Sequence, residues 1–163
     1  MNKFICWLIR CVVIIVGIVG VWFCFIGYPT FSLIESGFNP EYTTNYTMQW
    51  VQFGVQMGFH LITSIPCFAI LVMAWKLSTC VKKDETFSDR TKKLLQISAI
   101  TLFIDLSVFA VGNIVLYFLK WNVFFKLYVI LFIIGLAIAT VLAIAAHYVG
   151  QAAAIREENE SYI

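Results

Sequence analysis

Few residues in this chain can do chemistry, and most of them lie inside apolar sequence. Asp105 is set in Thr101-Leu-Phe-Ile-Asp-Leu-Ser-Val-Phe-Ala110, with apolar residues continuing on both sides. Gln52, Gln56, His60 and Ser64 recur at every fourth position, with Thr63 alongside, so on a helix they share one face. An ionised Asp in the middle of a membrane helix costs about 2.5 to 3.5 kcal/mol on insertion scales, and so requires polar company. By helical rise from the helix ends, Asp105 is ~16 Å deep, while His60 and Ser64 are ~15 and ~21 Å deep from the other side. The spacing therefore points to a buried hydrogen-bonded cluster of Asp105 with His60 and Ser64, joined by Asn113. Such a cluster could tie helices together or relay protons. A carrier usually shows several acids or an internally repeated pair of broken helices, and neither is visible, so interhelical bonding is the simpler reading.

Enzymatic signatures are missing: there is no G-x-x-x-x-G-K-[ST], no H-E-x-x-H, no G-x-S-x-G and no metal-ligand spacing. His60 and His147 are too far apart to share an ion. Cys6, Cys11, Cys24, Cys67 and Cys80 form no C-x-x-C pair and read as small buried hydrophobes. The chain is expected to lack catalytic activity, cofactor and metal.

Positioning these residues is a matter for membrane helices. Of the 163 residues 61% are hydrophobic and 12% charged, and the mean hydropathy is +0.90. That is about half the charge of a soluble domain. A net charge of +2 is too small to suggest direct nucleic-acid binding. A bilayer core of about 30 Å needs about 20 apolar residues, and segments at about 4–26, 50–77, 94–119 and 123–146 meet that length. Backbone groups in lipid must be satisfied within each segment, so these are helices; the alternating ten-residue strands of a barrel are absent. The predicted fold is an all-α, integral membrane four-helix bundle, one domain over residues 1–163. The apolar start has no small-x-small cleavage site and reads as an uncleaved anchor.

Lys76, Lys82, Lys83, Arg90, Lys92 and Lys93 surround the second connection, at 78–93, whereas the first, at 27–49, has Glu35 and Glu41 and no basic residue. By the positive-inside rule, loop 78–93, the tail 147–163 and both termini are cytoplasmic, with Lys120 and Lys126 as a mild exception outside. Trp50 and Trp121 then mark the outer interface, Trp7 and Trp75 the inner one. Pro66 cannot donate to Ile62, so a kink is expected there, with Thr63 or Ser64 satisfying freed groups. Ser88 is placed to cap the third helix, with Asp89 in its first turn. The tail's Ala, Ile, Arg and Glu should prolong the fourth helix beyond the membrane. Gly54 and Gly58, and Gly135, Ala139 and Ala143, form small-residue lines that could seat helix contacts within the chain or between copies in a homo-oligomer. Asn45-Tyr-Thr47 matches a glycosylation acceptor, without meaning in a bacterium.

The stretch "ETFSDRTKKLLQISAI", with Phe87 ahead of a Lys-Leu helix start, and the ending "YVGQAAAIREENESYI" resemble the bacterial four-helix membrane family catalogued as domain of unknown function 2975. The resemblance covers about the second half of the chain and brings no catalytic residues with it. It implies a bacterial cytoplasmic membrane protein, and a partner, since genes of this family often adjoin one for a small helix-turn-helix regulator. Lys82, Lys83, Phe87, Arg90, Lys92, Lys93, Glu157 and Glu158 are the candidate cytoplasmic docking residues. A regulatory or signalling role is the leading expectation. Its rivals are immunity to a membrane-active peptide, met by Tyr28, Phe31, Phe38, Tyr42 and Tyr46, and a small transporter using Asp105 and His60.

Overall fold

A computed structural model describes residues 2–27, 29–30, 33–34, 46–83, 85–122 and 124–161. Tyr28, Phe31, Phe38, Tyr42 and the acceptor Asn45 lie outside the described residues, as do Tyr162 and Ile163; of Tyr46 only the backbone is described. The elements are α1 (Asn2–Trp22), a π-helical turn (Phe23–Gly27), α2 (Tyr46–Lys82), α3 (Asp89–Phe118) and α4 (Phe125–Ser161). All four helices are long and apolar enough to cross a membrane. The chain is thus an all-α, multi-pass four-helix protein.

The distribution of polarity is that of a protein dissolved in lipid. Ile15, Ile18, Ile104 and Ile133 turn outward, each more than half exposed, while Gln52, Gln56, His60, Asp105 and Asn113 are buried. Lipid welcomes the first group, and only the protein interior can satisfy the second.

Neighbouring helices run antiparallel, and their register can be read from contacts. Between α1 and α2, Arg10 meets Ser78, Gly17 faces Leu71 and Gly20 faces Phe68. Between α2 and α3, the Phe59 ring lies over Gly112, Cys67 meets Asp105 and Met73 meets Ser98. Between α3 and α4, Leu106 lies on Gly135 and the Lys92 chain on Gly150. Only a residue without Cβ admits the Phe59 ring at position 112, so α2 and α3 approach closely there. Among the described residues, α1 packs on α2, α2 on α3 and α3 on α4, but α1 does not pack on α4. The backbones of α1 and α4 stay apart along that edge among the described residues.

The ends of α3 follow from local chemistry. Ser88 Oγ accepts from the Thr91 amide at 3.3 Å, and Asp89 occupies the first turn, as expected. The hydroxyls of Ser88 and Thr91 both donate to the Glu85 carbonyl, at 2.7 and 2.8 Å, which folds the preceding loop onto the helix start. At the other end the Trp121 amide bonds to the Leu116 carbonyl and the Lys120 amide to that of Tyr117, both at 2.9 Å. These two bonds define a Schellman stop. Its left-handed residue is Lys120, with φ of 60°, where a glycine is usual.

Several expectations are corrected. Helix α2 runs over Tyr46–Lys82, longer than its apolar segment at both ends, with Pro66 inside it, while α3 starts at Asp89, where the expected Ser88 cap places it, ahead of its apolar segment. Thr63 bonds to the Phe59 and His60 carbonyls and Ser64 to that of Leu61, so neither hydroxyl serves Ile62. Gly54 and Gly58 face open space and seat no contact within the chain, which leaves them the contact between copies. On α4 the contact line runs through Gly135, Ala139 and Ala146 to Gly150, while Ala143 is exposed, since a straight helix drifts away from a strict four-residue repeat.

Replacing Lys120 by Gly should raise stability by about 1 kcal/mol, because the left-handed conformation costs an L side chain about that much. Ser88→Ala should lower it by about 1 kcal/mol. Reversible unfolding of the reconstituted protein checks both, and a Lys120→Gly chain less stable than the parent would contradict the strain assigned to that turn.

Candidate functional site

The polar face of α2 is divided among two sites rather than gathered in one. Nearer the start of α2, Gln52 and Gln56 both donate to the carbonyl of Trp121, Gln52 at 3.4 Å. That carbonyl belongs to the turn between α3 and α4, so the two amides fasten the turn to α2. Asn122, on the same turn, donates to Asn113 Oδ1 at 2.9 Å, and Asn113 in turn donates to the Phe109 carbonyl at 2.8 Å. One helical turn further along α2, His60 Nε2 and the Tyr128 hydroxyl are 3.3 Å apart. The His60 ring is flanked by Phe59 and Tyr128, with centroids 5.3 and 5.4 Å away, and Phe109 meets Tyr128 edge-on at 5.9 Å. This layer links α2, α3 and α4 through groups that lipid could not satisfy.

Asp105 lies one layer deeper, opposite Cys67. Its Oδ2 takes a hydrogen bond from Cys67 Sγ at 3.7 Å, and the same sulfur is 3.7 Å from the Thr63 carbonyl. A thiol has one hydrogen and is a weak donor, so the two acceptors share it. His60 and Ser64 bond elsewhere, to Tyr128 and to the Leu61 carbonyl. The expected cluster of His60, Ser64, Asp105 and Asn113 is therefore corrected. His60 and Asn113 belong to the outer layer, and Asp105 pairs with Cys67, because the α2–α3 register sets position 105 against 67 rather than 60 or 64.

Asp105, 7% exposed, is part of the wall of a cavity of about 280 Å³. All four helices and the π-helical turn contribute to it: Gly20 and Phe23 with Cys24 from the first membrane segment, Thr63 and Phe68 from α2, Leu102 and Phe109 from α3, Leu131 and Gly135 from α4. The cavity occupies the region where α1 and α4 do not close on each other. It combines an apolar, aromatic wall with one carboxyl group, which suits it to hold a ligand.

Sequence reasoning missed four of these partners. Cys67 could have been found one turn beyond Thr63, on the face that carries His60 and Thr63. Asn122 and Tyr128 gave no signal, being set by the turn geometry. Arg10 gives no signal in the sequence beyond its charge, yet its guanidinium donates to Ser78 at 3.1 Å and Thr79 at 3.5 Å and lies 4.9 Å over the Trp75 ring. The 75, 78, 79 spacing on one helix face was the available clue.

The candidate docking residues gather at the other end of the bundle. Lys82, Lys83, Phe87, Arg90 and Lys93 are exposed, as are Glu157 and Glu158 at the end of α4; Lys92 is half-buried against Gly150.

A double-mutant cycle of His60→Ala and Tyr128→Phe should return a coupling of about 0.6 kcal/mol and at most about 1.7, the range of hydrogen bonds between membrane helices. Strictly additive losses of stability would mean that the two side chains touch without bonding.

No curated protein and no solved structure matches the chain. The family model described as "Protein of unknown function (DUF2975)" matches residues 37–163, which adds α2, with His60 and Cys67, to the half of the chain in which the resemblance was legible and leaves α1 outside the match. With more than half of its length matched, the chain belongs to the DUF2975 family of proteins of unknown function.

Proposed function

We propose that this protein is a regulatory component of the bacterial cytoplasmic membrane, without catalytic activity, that docks a cytoplasmic helix-turn-helix regulator. The observation that carries this reading is the length of α4. Its 37 residues make a helix of about 55 Å, and a bilayer core takes up only about 30 Å. The remainder is an arm that projects from the membrane. Ala152, Ala153 and Ala154 favour helix there, Gln151 bonds back to His147 at 3.1 Å, and Arg156, Glu157 and Glu158 are exposed at its end.

Beside this arm stands the capped start of α3, with Phe87 53% exposed among Lys82, Lys83, Arg90 and Lys93. An exposed aromatic ring ringed by charge has the composition of a protein contact. Antiparallel packing brings every Lys and Arg except Lys120 and Lys126 to this end of the bundle. Positive charge of that kind favours a cytoplasmic placement, with both termini inside. The class of partner follows from the family resemblance.

Of the rival readings, immunity depends on a loop outside the described residues. Transport through a joint site of Asp105 and His60 is opposed by their separate partners, Cys67 and Tyr128. Asp105 in its cavity has a chemistry of its own, taken up below.

In intact spheroplasts an impermeant maleimide should label Lys126→Cys and spare Phe87→Cys, each placed in a background without other cysteines; the reverse pattern would invert the topology. Crosslinking in native membranes should recover a DNA-binding protein, and the pair Arg90→Glu and Lys93→Glu should cut that recovery at least about tenfold, as expected when charges facing a partner are reversed. Undiminished recovery with the reversed charges would remove the docking face from the proposal.

A further inference from the structure

We propose that the cavity between α1 and α4 binds a lipophilic organic cation, with its charge at Asp105 and its apolar groups against Phe23, Phe68 and Phe109. The inference goes beyond the regulatory reading and does not depend on it.

Charge complementarity carries the choice of ligand. Asp105 is the one Asp or Glu among the residues that form the cavity, and its partner there is a thiol shared with the Thr63 carbonyl. No Lys or Arg occurs between Arg10 and Lys76, between Lys93 and Lys120, or between Lys126 and Arg156. Along α1 and α2 the nearest basic residues, Arg10 and Lys76, are ten and nine residues from Gly20 and Cys67, which stand near the level of Asp105, so none is placed to reach a carboxyl in the middle of α3. A second copy of the chain brings the same distribution and so offers no cation at that depth. A lipid tail brings none at all. A cation that is itself soluble in hydrocarbon supplies what the fold withholds, and a carboxylate in low dielectric rewards it more strongly than water would.

The wall agrees with this ligand. Phe23, Phe68 and Phe109 line the cavity, and aromatic faces attract organic cations, most strongly where water is excluded. The volume of about 280 Å³ accommodates several rings or alkyl groups. The route we infer is lateral, between α1 and α4, whose backbones do not approach closely among the described residues and whose residues both line the cavity. Gly20 contributes to the α1 side, where an added Cβ would meet the Phe68 ring at ordinary contact distance, 3.5 Å. A larger side chain at that position grows into the cavity.

The test uses the full chain in lipid nanodiscs with labelled methyltriphenylphosphonium, followed by equilibrium dialysis against empty discs. One saturable site per chain is expected. Asp105→Asn should weaken it at least about tenfold, and triphenylmethane, apolar and similarly shaped but uncharged, should fail to displace the label. Gly20→Leu leaves the carboxyl intact and should weaken binding by a similar factor, so it decides the matter if the Asp105→Asn chain does not fold; elution profile and thermal unfolding report on folding of both. The proposal is overturned if uptake equals that of empty discs, if Asp105→Asn binds as the parent does, or if triphenylmethane competes on equal terms. It is also overturned if light scattering finds a dimer whose second copy covers the cavity and excludes the label.

Discussion

A polar group in hydrocarbon has no solvent to fall back on, and each one in this protein must find its partner within the bundle. That constraint accounts for the arrangement of α2, whose buried face carries Gln52, Gln56, His60 and Thr63. Two of these hold the carbonyl of Trp121, one meets Tyr128, and the hydroxyl of Thr63 turns back onto its own helix. The partners come from α4 and from the turn before it. Lys120 accepts a left-handed backbone there because the stop of α3 directs the Trp121 carbonyl toward α2. Strain in one residue is thereby exchanged for three helices joined by buried hydrogen bonds.

Deeper in the bundle the donor is weaker. Asp105 has a thiol where its neighbours have amides, imidazole and phenol, and beside it the helices part rather than close. A carboxyl group placed against a half-share of a weak donor is a poor device for holding helices together. Beside an accessible cavity it is a sound device for recognising charge. The two polar layers thus differ in their groups: the outer one joins helices through amides, imidazole and phenol while Gln52 Oε1 and Asn122 Oδ1 are buried there without a hydrogen bond, and the inner one lines a cavity.

The two ends of the molecule differ as well. At the Trp121 end a short turn ties α3 to α4, while at the Arg10 end Arg10 clamps α1 to α2 through Trp75, Ser78 and Thr79. Thus α1 is held along its length by one neighbour, α2, through Arg10, Gly17 and Gly20, while Gly20 also lines the cavity. The family match begins beyond α1, so Gly20, Phe23 and Cys24 are the part of the cavity that the match does not include.

Much of the architecture was legible because lipid enforces simple rules. Four apolar stretches of sufficient length had to be helices, Ser88 had to be a cap, and a tail rich in Ala and Glu prolonged α4. The burial of His60, Asp105 and Asn113 was equally readable, since exposure to lipid is costly for each. Their pairing was not. Periodicity states which residues share a face, whereas the partner across a helix boundary depends on the register between helices, and a shift of one turn moves it by four residues. Register placed Cys67 rather than His60 against Asp105, set Tyr128 beside His60, and left Gly54 and Gly58 facing open space. The sequence by itself determined that this chain crosses a membrane as helices with a buried acid. Only the tertiary structure decided which thiol meets that acid and that a cavity opens next to it, because both depend on where separate helices come to rest against one another.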